Sequence, residues 1–107
     1  MSYNLKDEAS KAERFVGGHR LCAGCGAGVA VRGVLRALND EDRSVSGVAT
    51  CCLEVSSFLY PFTAWQESYI HSAFENVAAT VSGAEACYKA LKRKGKMKES
   101  YKFIAFG

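Results

Sequence analysis

Apolar residues recur along this chain in two rhythms. Val31, Val34, Leu35 and Leu38 fall at i, i+3, i+4 and i+7, which puts them on one face of a helix and predicts that helix over about residues 28–38. Val77, Val81, Ala84, Tyr88 and Leu91 alternate by four and three, and predict a longer helix over 75–93. Gly95 suits the position just past its end, and the basic residues before it suit the negative end of the helix dipole. A shorter polar helix is expected over 4–16, with Leu5, Ala9, Ala12 and Val16 on one side and Gly17-Gly18 ending it. "VSGVAT" (45–50) reads as a short strand and "YKFIAFG" as a buried one over 102–106. Residues 51–73 show no regular period. Phe58, Tyr60, Phe62, Trp65 and Tyr69 cluster there around the single proline, Pro61, in a segment expected to be covered by core, ligand pocket or partner chain.

A helix between two strands is a βαβ pattern, which predicts an α/β fold with a parallel sheet under helices. Two strands are too few for such a sheet, and a parallel sheet needs cover on both faces. The chain therefore reads as part of a larger domain. Strands 45–50 and 102–106 are expected side by side or nearly so, with helix 75–93 on one face. Phe103, Ile104, Phe106 and the aromatic loop 58–65 are expected to stay partly exposed.

Composition narrows the function classes. The chain has 107 residues, enough for one domain or a part of one, and 49% of them are hydrophobic. No apolar run approaches the ~20 residues that span a bilayer. "MSYNLKDEASKAERF" carries acids and no apolar segment, so a secretory signal is not expected. The formal charge of +3 is small, and the basic residues crowd 92–98, where a solvated helix end is a simpler account than a nucleic-acid surface. Five cysteines, an odd number at irregular spacing without an export signal, point to a reducing, cytoplasmic setting and to metal or redox use instead of a disulfide framework.

The chemistry concentrates in "RLCAGCGAGVAV", residues 20–31. Two residues between Cys22 and Cys25 let both sulfurs turn toward one metal, and Gly24 and Gly26 leave bare backbone around them. Metal or cluster ligation leads here; a redox dithiol and inert thiols remain as alternatives. Cys51 and Cys52 are adjacent, so their side chains diverge and at most one is expected to join the same site. Cys87 lies on the apolar stripe of the long helix and is expected in the core. His19 and His71 are read as loop residues with structural or hydrogen-bonding roles. Glu75 is read as a partner of the helix dipole, and Glu54 as a polar anchor under the aromatic loop.

"GHRLCAGCGAGVAV", "ATCCLEVSSFLYPFTAW", "YIHSAFENVAATVSGAEACYKALKRKGK" and "FIAFG", taken together and in order, resemble the β subunit of pyruvate:ferredoxin oxidoreductase and related 2-oxoacid:ferredoxin oxidoreductases. The resemblance runs over 18–107 and leaves 1–17 as an N-terminal extension. It implies the N-terminal part of a thiamine diphosphate-binding domain in a multi-subunit enzyme. Such an enzyme oxidatively decarboxylates a 2-oxoacid, passes electrons through iron–sulfur clusters to ferredoxin, and forms an acyl-coenzyme A. By the same resemblance, Cys22, Cys25 and Cys52 are three ligands of a 4Fe–4S cluster. Gly26, Cys51, Cys52, His71 and Phe74 then lie by the cofactor. Departures from the family pattern are Cys51 where glycine is common, Ala23 where proline is common, and Glu67-Ser68 where an apolar residue and proline are usual, a change expected to loosen that loop. The family's Gly-Asp-Gly motif and following Asn, which hold magnesium and the diphosphate, and its fourth cluster cysteine are expected beyond Gly107, so this chain alone is expected to be inactive. The competing readings are a small zinc- or iron-binding module using Cys22, Cys25, Cys52 and Cys87, and a structural fragment that folds only against a partner.

Overall fold

The computed structural model describes residues 4–107. Its elements run α1 (Leu5–Ser10), α2 (Gly26–Arg36), β1 (Asp42–Ala49), α3 (Cys52–Ser57), β2 (Ser68–Ser72), α4 (Val77–Arg93) and β3 (Ser100–Phe106). The fold is α/β, as expected. The strands form one parallel sheet in the order β2-β1-β3, with Val45 of β1 level with both Ser68 and Phe103. β1 and β3 are neighbours, as the βαβ pattern predicts. The third strand, β2, and the short helix α3 arise inside the segment expected to be irregular.

β1 is the centre of the molecule, and it separates two apolar clusters. On one face Val48 meets Phe15, Val31, Leu35, Leu53 and Trp65, with Ile104 and Phe106 partly buried beside them. On the other, Ala49 meets Val77 and Val81 of α4, with Phe103 alongside. This division follows from the two-residue period of a strand. Phe103, Ile104 and Phe106 are each only partly buried. Tyr60 and Phe62 of the aromatic loop are exposed, whereas Trp65 from its far end is core. The loop is thus part surface and part interior.

α4 lies close on β1 because Gly47 carries no side chain. A Cβ at Gly47 would sit 2.3 Å from Val81 Cγ2 and 3.2 Å from Val77 Cγ2. Gly47→Ala is therefore expected to destabilise the fold by roughly 1–3 kcal/mol through overpacking, less the small gain from a stiffer unfolded chain. Adding Val81→Ala should recover most of the loss. Urea midpoints of the two single variants and the double variant check this; equal midpoints for wild type and Gly47→Ala would refute the close approach.

The N-terminal segment departs from expectation. α1 stops at Ser10, where Lys11 turns to an extended backbone (ψ 146). The expected helical side is not a buried face, since Leu5 is exposed. Instead the chain runs on extended, and Phe15 forms an antiparallel bridge with Trp65, flanked by Val16 N–H to Ala64 C=O at 2.9 Å and Gln66 N–H to Arg14 C=O at 3.0 Å. Polar contacts fasten it further. Lys11 Nζ donates to the Arg36 and Leu38 carbonyls at the end of α2, and Arg14 donates to the Asp42 and Asn39 carbonyls. Glu13 pairs with Arg32 and Arg36, and the Arg32 guanidinium holds its carboxyl below the ordinary value.

Arg14 also pairs with Glu67 at 3.2 Å, and Glu67 accepts a hydrogen bond from the Ser44 N–H. Glu67-Ser68 does not loosen its loop: Glu67 ties the N-terminal segment to β1, and Ser68 opens β2. Cys87 is the other correction. It is exposed: the buried residues of α4 are Val77 and Val81, both in its first two turns. Among the described residues no helix is long and apolar enough to cross a membrane.

Candidate functional site

In open parallel sheets the ligand-bearing crevice lies beyond the carboxyl ends of the strands. Here that edge is built by Thr50-Cys51-Cys52 after β1, by the residues after Ser72 at the end of β2, and by Phe106 and Gly107 at the end of β3. A largely apolar cavity of about 540 Å³ opens on it. Its walls are Ala27, Ala30 and Val31 from the first turns of α2, Cys51, Cys52 and Leu53 at the start of α3, and the end of β3.

Both helices that flank the cavity begin on a cysteine. Cys25 caps α2, and its N–H donates to the Cys22 carbonyl at 3.0 Å, so the two cysteines share one tight turn. Gly24 takes φ +74 within it, a conformation that favours glycine. Gly26 is the first helical residue. Cys22 is exposed and Cys25 partly so. Cys51 caps α3 in an extended conformation (φ −163, ψ −176) that any residue adopts, so the backbone does not itself require the family's glycine there. Cys52 is the first residue of α3 and is exposed, and neither cap makes a side-chain hydrogen bond.

These thiols have the chemistry that iron and zinc select, on exposed turns. The turn of Cys22 and Cys25 carries two thiols, and Cys52 lines the cavity together with the first turns of α2. Thiolates are the donor type that an iron–sulfur cluster takes. Among the described residues, however, no three His, Cys, Asp or Glu side chains are gathered closely enough to hold a metal ion. That includes oxygen ligands for magnesium, so the magnesium–diphosphate part of a thiamine site does not fit these residues by themselves. Cys87 lies ten residues into α4, about 15 Å along the helix from its start, and all five cysteines are free.

The polar part of the edge is a pair that the sequence does not reveal. Glu54, one turn into α3, is 1% exposed, and its Oε1 meets His71 Nδ1 from β2. His71 is a strand residue with its side chain 55% exposed, not a loop residue. Phe58 leans against both His71 (centroids 5.4 Å apart) and Tyr69 (5.8 Å), which share a strand face. Burial, then the charges at Glu54 and Cys51, push the Tyr69 hydroxyl well above its usual range. Thr50 Oγ1 donates to the Ser72 carbonyl at 2.9 Å and ties the ends of β1 and β2 together. Phe74, beyond β2, is exposed, as are Glu75 and the aromatic tip at Tyr60 and Phe62. Glu54 is thus a buried carboxyl at the start of α3 whose Oε1 approaches His71. The signal for that pairing was the alternation Tyr69–His71, too short to stand out beside the aromatics.

No family model matches the chain. Curated relatives do. Pyruvate synthase subunit PorB of Thermotoga maritima is 53% identical over 116 aligned positions that take in the whole chain and 35% of the relative. That alignment includes residues 1–17, which the motif blocks do not reach. The PorB subunit of Methanocaldococcus jannaschii is 50% identical over 78% of the chain and 28% of its own length, and that of Pyrococcus furiosus 42% over 86% and 30%. The chain spans about a third of the length of the curated relatives it matches. It is by sequence a relative of the PorB subunits of pyruvate synthase, matched along that third.

Proposed function

We propose that this chain is part of the β subunit of a 2-oxoacid:ferredoxin oxidoreductase, with pyruvate as the leading substrate, and that residues 18–107 are the N-terminal part of its thiamine diphosphate-binding domain. The observation that carries this reading is the meeting, at one cavity on the carboxyl edge of the sheet, of the α2 start below the Cys22–Cys25 turn with Cys51-Cys52 at the start of α3. The identity to PorB subunits supports it. Further subunits, a ferredoxin and coenzyme A are the partners it entails, in a cytoplasmic enzyme.

Thiamine diphosphate, when bound, supplies the carbanion chemistry of decarboxylation, and a 4Fe–4S cluster supplies a one-electron outlet. The chain's own residues do the holding. Cys22, Cys25 and Cys52 would ligate the cluster, with Gly24 and Gly26 leaving their flanks open to backbone N–H donors. Ala27, Ala30 and Val31 add an apolar wall beside Cys51 and Cys52. His71 and Phe74 stand at the end of β2 on the cofactor side of the edge, and Gly26, Cys51 and Cys52 face it from α2 and α3.

The test is a graft. This chain replaces the matching third of PorB in the Thermotoga maritima enzyme, and the purified complex is assayed for pyruvate-dependent reduction of ferredoxin. Retained activity, within about tenfold of the parent, and full iron content are expected. A complex that assembles with its other subunits but neither holds the additional iron nor reduces ferredoxin would overturn the proposal, and zinc at the cysteines instead would favour the binding-module reading.

A further inference from the structure

We infer that Glu54 is a positioning residue for His71: it holds the Nδ1 edge of the imidazole so that the ring presents Nε2 outward at the carboxyl edge of the sheet. Three features of the structure converge on this. Glu54 is almost completely buried, and its Oε1 meets Nδ1. Neither of its oxygens has a hydrogen bond of normal geometry among the described residues, and His71 Nδ1 is the charged-pair atom that Oε1 approaches. The ring is also restrained from the side, since Phe58 lies 5.4 Å away at an angle of 35° and packs at the same time on Tyr69.

A carboxylate accepts and cannot donate, so an ionised Glu54 holds this edge of the ring when Nδ1 carries the hydrogen. Nε2 is then the ring nitrogen left for a ligand, on a side chain that is 55% exposed. A free imidazole shares its proton between both nitrogens; a ring held at Nδ1 by a carboxylate does not, and its orientation is fixed along with its tautomer. His71 is level with Val48 of β1, one residue before the strand ends that Thr50 and Ser72 tie together, so the ring stands near the carboxyl edge of the sheet. Assigning that edge to a reactant of the oxidoreductase rests on the function proposed above; the tautomer and orientation do not.

Nitrogen-15 NMR of histidine-labelled full chain tests the inference directly. In the wild type, the His71 spectrum is expected to show a protonated Nδ1. Glu54→Leu, which removes the acceptor and keeps the apolar volume, should shift His71 toward the Nε2–H form, and Glu54→Gln, whose amide oxygen still accepts, should restore the Nδ1–H form. A wild-type His71 with its proton on Nε2 alone would overturn the inference even if Glu54→Leu does not fold. An unchanged tautomer in folded Glu54→Leu would overturn it equally. In the grafted enzyme, Glu54→Leu should lower kcat about tenfold or more and Glu54→Gln recover most of it. If the wild-type graft is inactive while the tautomer follows Glu54, the functional proposal fails and the positioning role stands.

Discussion

Replacing Phe15 with alanine is expected to remove about 3–5 kcal/mol of stability, the usual cost of truncating a buried phenylalanine. The ring is 2% exposed and fills the centre of the larger apolar cluster. It lies edge-on to Trp65 with centroids 4.9 Å apart and stacks on His19 at 5.1 Å. Trp65 in turn packs on Tyr69 and Phe106, so a cavity at position 15 has walls on two strands and the aromatic segment. These walls cannot easily close, because Trp65 is pinned by its Nε1–H to Ser57 Oγ at 2.8 Å and by the backbone bridge to residue 15 itself. A loss of this size is a large share of the 5–15 kcal/mol typical of a domain. The N-terminal segment should also come loose, since the bridge and the Arg14–Glu67 pair flank the same ring. Urea denaturation followed by tryptophan fluorescence, with limited proteolysis of residues 4–16, checks both parts. Leu5→Ala, on an exposed side chain, serves as the control and should shift the midpoint little. A Phe15→Ala midpoint equal to that of the control would show that the N-terminal segment is an appendage after all.

Phe15 also shows which parts of this fold the sequence discloses. α2, α4, β1 and β3 each carry their own period, and the parallel pairing of β1 with β3 follows from the helix between them. Phe15 finds its partner about fifty residues later, at Trp65, and nothing local marks it. The polar stretch 4–16 meets a helical spacing through Leu5, Ala9, Ala12 and Val16, but these are small or exposed residues with nothing to bury against. The long-range contacts of Lys11, Arg14 and Phe15 win, and the chain is extended from Lys11 on. α3 and β2, at six and five residues, are too short to establish a rhythm. β2 exists because β1 offers it a free edge, and its Ser68–Ser72 sequence is too polar to look like a strand buried on both faces. At the site, the cysteine turn was legible because a CxxC flanked by glycines is a local pattern. The Glu54–His71 pair was not, because its two members are brought together only by the packing of α3 against the end of β2.

The largest chemical effect is expected at that turn. Cys22→Ser and Cys25→Ser, each in the grafted and anaerobically reconstituted enzyme, should abolish the cluster that this chain helps to hold, whereas Cys87→Ala should leave it intact. A hydroxyl is a poor replacement for a thiolate on iron, and the turn closed by the Cys25 N–H to Cys22 C=O bond holds no third cysteine that could take over. Cys52→Ser, at the third proposed ligand, should have the same effect; Cys51, next to it and outside the proposed ligand set, should tolerate the change to the family's glycine. Cys87 is exposed on α4, well along the helix, where loss of its sulfur changes neither the site nor the core. Iron and acid-labile sulfide per subunit, together with the broad visible absorbance of the cluster, are the measurements. About four irons and four sulfides per complex should disappear in the Cys22, Cys25 and Cys52 variants relative to wild type. Full iron content in Cys22→Ser or Cys25→Ser, or loss of the cluster in a folded Cys87→Ala, would overturn the ligand assignment. Cluster loss in the Cys51 variant with Cys52→Ser unaffected would transfer the third position to Cys51.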